Sequence, residues 1–182
     1  MSSYCLSATD GSLPDYHRVY HDTVYGFPAA SDDELFGRLL MEINQAGLSW
    51  DTVLRKKDTI KAAYADFSIG AVARFDESDI ERLLTDSGII RMRRKIEAAI
   101  HNAQQIERLQ AEYGSFEAWL DHHHPLERPE WVKLFKKTFR FTGGEITKEF
   151  LMGAGYLPGA HEEDCPVYQE VLKAGVRWLH VG

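Results

Sequence analysis

Along most of the chain apolar residues return every third or fourth position, and no run alternates as a half-buried strand would, so the pattern predicts an all-α fold. Leu35, Phe36, Leu39, Leu40 and Ile43 form one stripe behind Ser31, whose hydroxyl is placed to cap the helix while Glu34 reaches back to it. A second helix is expected from about Ser49, with Trp50, Val53 and Leu54 on one side. Ser78 and Glu81 have capping-box spacing ahead of Leu83 and Leu84, and Asp86-Ser87-Gly88 ends that helix in a turn. The next begins almost at once, because Ile96, Ala99, Ile100, Ala103, Ile106 and Leu109 keep helical spacing up to Tyr113-Gly114. Ser115 then caps a short helix carrying Phe116, Trp119 and Leu120, and His122-His123-His124-Pro125 reads as an exposed break. Pro129 suits a first helical turn ahead of Trp131, Leu134 and Phe135, and Gly143-Gly144 interrupts that segment. Glu145 to Met152 reads as a last core helix closed by Gly153 and Gly155, and beyond Pro158 the chain turns polar before a short apolar tail. No repeat or linker divides the chain, so a single domain over residues 1–182 is expected.

Composition narrows the class. A length of 182 residues with 44% hydrophobic content suits a globular domain with a substantial core. No stretch approaches the ~18 apolar residues of a membrane-spanning helix, and Met1-Ser2-Ser3-Tyr4-Cys5 lacks a leader pattern, so a cytoplasmic protein with no membrane partner is expected. Its two cysteines, Cys5 and Cys165, stand far apart, as in a reducing compartment rather than a disulfide scaffold. A net charge of -7 counts against nucleic acid, which attracts basic proteins. Basic residues nevertheless bunch at Arg55-Lys56-Lys57, at Arg91 with Arg93-Arg94-Lys95, and at Lys133, Lys136-Lys137 and Arg140. These are either a basic face on an acidic body or ordinary solvated helix faces.

Three groups of residues carry candidate chemistry. Cys5, His21, His161 and Cys165 are the soft and borderline ligands of tetrahedral zinc, with His17 as an alternative to His21. The same cysteines also suit small buried hydrophobic positions. Gly88-Ile89-Ile90-Arg91, followed by Arg93 and Arg94, forms a turn into a helix. Glycine allows the sharp bend, and the helix N-terminus with its arginines attracts phosphate; the alternative is a plain helix corner with Ile89 and Ile90 in the core. Glu42 lies beside the apolar stripe of its helix, so its carboxyl is either paired with backbone donors or functional. With Trp50, Tyr20 and Tyr25 as aromatic walls it suits an electron-poor cationic base, whereas Trp50 alone would read as core.

Taken together, Tyr20-His21-Asp22 with Tyr25-Gly26 and Pro28, Gln45-Ala46-Gly47-Leu48-Ser49-Trp50, Gly88-Ile89-Ile90-Arg91 with Arg94-Lys95-Ile96, and Phe139-Arg140-Phe141 resemble the bacterial 3-methyladenine DNA glycosylase I family, in its order and spacing, up to about Cys165. The resemblance implies a helix-hairpin-helix glycosylase body, with the Gly88, Ile89, Ile90, Arg91, Arg93 and Arg94 region on the phosphates of double-stranded DNA carrying alkylated adenine. It implies a structural zinc on Cys5, His21, His161 and Cys165, with Glu42, Tyr20 and Trp50 around the methylated base. It also implies a monofunctional enzyme, expected as a monomer, that hydrolyses the N-glycosidic bond without a catalytic lysine.

The sequence departs from that family at several positions. Tyr25 stands where tryptophan is usual and Ile43 where glycine is, and Gly144 and Glu145 replace uncharged threonines. Lys148 and Glu149 replace a tyrosine and a serine, which brings new charge near the expected site, and the Pro125 to Thr138 segment is short. Two other functions compete: a DNA-binding module without base excision, and a zinc hydrolase, which needs an open metal position.

Overall fold

A computed structural model describes residues 4–180; residues 1–3 and 181–182 fall outside it, and with them most of the leader reading at Met1–Cys5 and the end of the apolar tail. Among the described residues every regular element is helical. In chain order these are α1 (Tyr4–Thr9), α2 (Asp15–Thr23), α3 (Asp32–Gln45), α4 (Trp50–Arg55), α5 (Lys57–Ala63), α6 (Ile69–Val72), α7 (Glu77–Thr85), α8 (Arg93–Tyr113), α9 (Phe116–His123), α10 (Arg128–Thr138), α11 (Gly144–Gly153) and α12 (Tyr168–Lys173). None of them is long and apolar enough to cross a membrane.

The apolar stripe of α3 becomes the centre of the molecule. Leu35, Phe36, Leu39, Leu40 and Ile43 are all buried, and α3 packs against α4, α8, α9 and α11. A second layer is aromatic: Phe116 and Trp119 of α9 meet Phe135 of α10, Phe139 and Phe150 of α11 at ring-centroid distances of 5.6–6.2 Å, mostly tilted or edge-on. Ile96, Ala99, Ala103 and Ile106 of α8 complete the core, as their spacing requires. Beyond Pro158 the chain folds back over this body, where Arg177 binds Asp121 and Glu117 of α9.

Caps differ from expectation in detail. Ser31 accepts from the Glu34 amide as anticipated, but the Glu34 carboxylate takes the amide of Ala30 instead of that of Ser31. For α7 the box lies two residues earlier than read: Asp76 caps the helix and Asp79 answers, while Ser78 donates its hydroxyl to Asp76 and Glu81 turns to Arg93. An Asp at the cap position accepts amides more strongly than a serine two residues inside the turn, and that choice fixes the register. His122 and His123 are not loop residues but the last turn of α9, against Tyr113; the break comes at His124-Pro125. The short helices α1, α2, α5, α6 and α12 have no stripe of their own long enough to announce them, and α2 buries His17 and His21 where an aliphatic pattern would be sought.

Candidate active site and ligand cluster

Glu42 occupies the penultimate turn of α3, on the edge of the helix that looks toward α2 and α11. Its side chain is only 6% exposed, and Oε2 is fully buried with no hydrogen-bond partner. An acceptor left unpaired in the interior is costly, so its presence asks for a donor from outside the chain. Burial, and then the charge of Glu149, push the Glu42 carboxyl up to about 8.

That carboxyl borders a cavity of about 240 Å³ lined by Tyr4, Tyr20, Tyr25, Gln45, Trp50 and Glu149. Tyr20 stacks on Tyr25 at 5.8 Å and leans on Trp50 at 5.1 Å, which gives the cavity flat aromatic walls. Burial, then Glu149, hold the Tyr25 phenol well above its ordinary range, so it stays a donor and gives its hydrogen to Glu149 Oε2 at 3.2 Å. A larger cavity of about 360 Å³ lies on the other side of Tyr20 and Trp50, over Arg38, Lys57 and Lys61. It lacks a buried unpartnered acceptor, and for that reason the smaller one is the candidate site.

The frame around the cavity is built by backbone carbonyls. Arg38 of α3 donates to the carbonyls of Phe27 and Gly153, and the Gly26 amide joins it on Gly153, which ties α3, the end of α2 and α11 together. Lys95, expected near phosphate with its arginine neighbours, is instead buried and donates to the carbonyls of Asn44 and Ala46 at 2.7 and 2.6 Å. It therefore caps the C-terminus of α3 and fixes the turn that carries Gln45 and Trp50. The same turn leaves Leu48 in solvent, 42% exposed.

Cys5, His21, His161 and Cys165 come together as one buried group whose ligand atoms all lie within 4.8 Å of one another. Cys165 Sγ is 3.5 Å from both His21 Nε2 and His161 Nδ1, and Cys5 Sγ is 3.8 Å from His161 Nδ1. Bonds of ~2.3 Å to sulfur and ~2.05 Å to nitrogen give a tetrahedral S···N edge of ~3.6 Å, so the residues fit zinc. The outer nitrogens are placed as metal-bound imidazoles require: His21 Nδ1 is 2.7 Å from the Asp22 carboxylate and His161 Nε2 donates to the Tyr25 carbonyl at 2.6 Å. Gly26 makes room for this, since a Cβ there would stand 3.0 Å from the His161 ring and its φ is +84°. His17 is not part of the group; it binds Tyr4 and Asp51.

At the predicted hairpin, α7 ends at Thr85 and α8 starts at Arg93. Ile89 goes into the core, while Arg91 and Arg94 stay exposed. Gly88 does not sit at positive φ; a side chain there would meet Asp86 and Thr59 at 3.0 and 3.1 Å, so glycine serves close packing and not the bend itself. Lys56 and Thr59 of the α4–α5 region donate to the Ser87 and Gly88 carbonyls, which brings two of the basic clusters together. Among the described residues the amides of Ile90, Arg91, Arg93 and Arg94 have no protein acceptor. The Arg93 guanidinium, by contrast, is already held by Glu77, Glu81 and Glu97.

Sequence reasoning missed Tyr4 and Gln45 as cavity walls. Tyr4 had a signal: if Cys5 reaches His21, its neighbour must lie close to Tyr20 and Tyr25, and Tyr4 meets Tyr25 edge-on at 5.8 Å.

Comparisons with known proteins identify the family. Residues 11–131 match the family model described as methyladenine glycosylase. DNA-3-methyladenine glycosylase 1 of Escherichia coli is 34% identical, with 82% of this chain and 90% of that one covered. The DNA-3-methyladenine glycosylase of Haemophilus influenzae is 30% identical over 81% of this chain and 89% of its own length. Among solved structures, 3-methyladenine DNA glycosylase I from Staphylococcus aureus superposes with a TM-score of 0.79 at 30% identity, covering 91% of this chain and 97% of that one.

Proposed function

The chain belongs to the methyladenine glycosylase family, and from that premise we propose that it excises 3-methyladenine from alkylated DNA by hydrolysing the bond between base and deoxyribose. The observation that carries the reading is Glu42: a buried, unpartnered carboxyl oxygen at the wall of an aromatic cavity. Such a cavity takes a base that has left the stack, which costs least for a damaged base. Tyr20, Tyr25 and Trp50 supply π faces for a cationic ring, and Glu42 accepts from its exocyclic amine. A methyl group on N3 already makes the adenine positive. The C1′–N9 bond breaks with its electron pair going to the base, which leaves neutral; the oxygen of water then bonds to C1′ and its proton passes to solvent. No protein nucleophile and no lysine adduct are needed, so the reaction ends at an abasic site.

The hairpin holds the duplex, through Arg91, Arg94 and the acceptor-free amides at the head of α8, without reading sequence. Arg93 acts indirectly, by fixing α7 against α8. Leu48, apolar and exposed in the turn between Gln45 and Trp50, enters the space the base vacates in this reading.

We also propose a zinc ion on Cys5, His21, His161 and Cys165. With all four positions taken by protein it supplies no Lewis-acid chemistry and serves to pin both ends of the chain beside α2. A zinc hydrolase, which requires an open position, is disfavoured by the same count.

Incubation with methylated duplex DNA and mass spectrometry of the released bases tests the proposal. Free 3-methyladenine and a matching number of abasic sites are expected. DNA binding with no free base at any protein concentration would leave a binding module in its place.

A further inference from the structure

Glu149 of α11 is the second carboxylate of the cavity, beside Glu42 of α3. The two sit at different depths: the Glu149 side chain is 31% exposed, whereas Glu42 is buried. Glu149 is also held in place. Its Oε2 accepts from Tyr25 and its Oε1 pairs with Lys148 Nζ at 2.9 Å, while Lys148 is steadied by Glu145 and Glu145 by Arg128. A carboxylate offers about four acceptor positions, so roughly two remain free after these contacts.

The base-excision reading needs one acceptor for adenine, whose amine lies on a single edge. The free acceptor positions of a second fixed carboxylate match a base that carries two adjacent donors. Guanine has them: its ring N1–H and its N2 amine point the same way, and methylation at N7 gives it the same positive charge and weakened N9 bond as the adenine lesion.

Resting on that reading, we propose that Glu149 is a specificity-determining residue which extends the cavity to N7-methylated guanine by accepting from its N1–H and N2 amine. The chemistry is unchanged: the C1′–N9 bond breaks toward the cationic base, which leaves neutral, and water supplies the oxygen to C1′. Because Glu149 already has Tyr25 and Lys148 as partners and is partly exposed, a methylated adenine that leaves its free positions unused is still accepted.

The test uses duplex DNA treated with dimethyl sulfate, which carries both lesions, and counts each released base for the wild type, Glu149→Gln and Glu149→Ser. The wild type is expected to release both. In both variants the ratio of 7-methylguanine to 3-methyladenine released is expected to fall at least about tenfold. Glu149→Gln keeps the shape of the side chain, and thermal melts of both variants beside the wild type check that they are folded. Release of 3-methyladenine without 7-methylguanine by the wild type overturns the proposal, as does an unchanged ratio in the variants. Release of neither base by the wild type overturns the base-excision reading on which it rests.

Discussion

His161 donates through Nε2 to the carbonyl of Tyr25 at 2.6 Å, so a member of the cysteine and histidine cluster directly fixes the backbone of a cavity wall. Its other nitrogen faces the sulfurs of Cys5 and Cys165. The cysteine and histidine cluster, the chain segments that carry it and the cavity wall are therefore one mechanical unit.

Zinc analysis of the purified protein is expected to give one ion per chain, and Cys165→Ser to lose it. An ion present at a thousand times its dissociation constant stabilises by about 4 kcal/mol. For a chain of this size that corresponds to a fall of roughly 10 °C in melting temperature on metal removal. An unaltered melt after complete chelation would remove zinc from the account.

Glu42 makes stability depend on pH in a stated direction. Its folded carboxyl is raised to about 8 from an ordinary 4.5, so the folded state holds the proton more tightly. The stabilisation is complete below pH 4.5 and is lost as pH rises through 8. Glu42→Gln, which has no such proton, is expected to gain on the wild type over that window by a few kcal/mol. Melting curves for both proteins at pH 5 and pH 8.5 give the comparison; parallel behaviour at the two pH values would mean the carboxyl is not buried as described.

The arginines of the hairpin divide into two kinds. Arg91→Ala and Arg94→Ala should each lower affinity for duplex DNA and reduce the salt dependence of binding by about one phosphate contact. Arg93→Ala should leave that slope in place, because its guanidinium belongs to Glu77, Glu81 and Glu97. Titrations at several salt concentrations distinguish them, and an equal loss for all three would contradict the assignment.

Lys95→Met preserves the stem of the side chain and removes the donor to the Asn44 and Ala46 carbonyls. A buried and a half-buried acceptor then lose a charged partner, at a cost of about 2 kcal/mol. Since those carbonyls frame the turn before Trp50, base release should weaken along with stability. Denaturant titration measures the first and the methylated-DNA assay the second.

How much of this was legible beforehand depends on what each residue had to say alone. The α3 stripe, the α8 run and the Ser115 cap were plain because spacing and capping act locally. Residue types alone offered the cluster and the base pocket as one alternative each beside plain core packing, and the resemblance joined them, since Cys5 and Cys165 meet across nearly the whole chain and no local pattern encodes that contact. Lys95 was grouped with its arginine neighbours, because the sequence of a basic run does not tell which member faces the interior. The α7 cap was misplaced by two residues where Asp76 and Ser78 both qualified and the stronger acceptor prevailed. Glu149 stood out as a new charge, but that it enters the cavity, and that Tyr25 turns its hydroxyl to it, is visible only in three dimensions.

The most direct measurement is single-turnover release of 3-methyladenine by Glu42→Ala beside the wild type, with DNA binding measured in parallel. The account predicts release slower by about a hundredfold or more while DNA affinity holds, because the lost acceptor acts on the extruded base and not on the duplex. Release at the wild-type rate would contradict it.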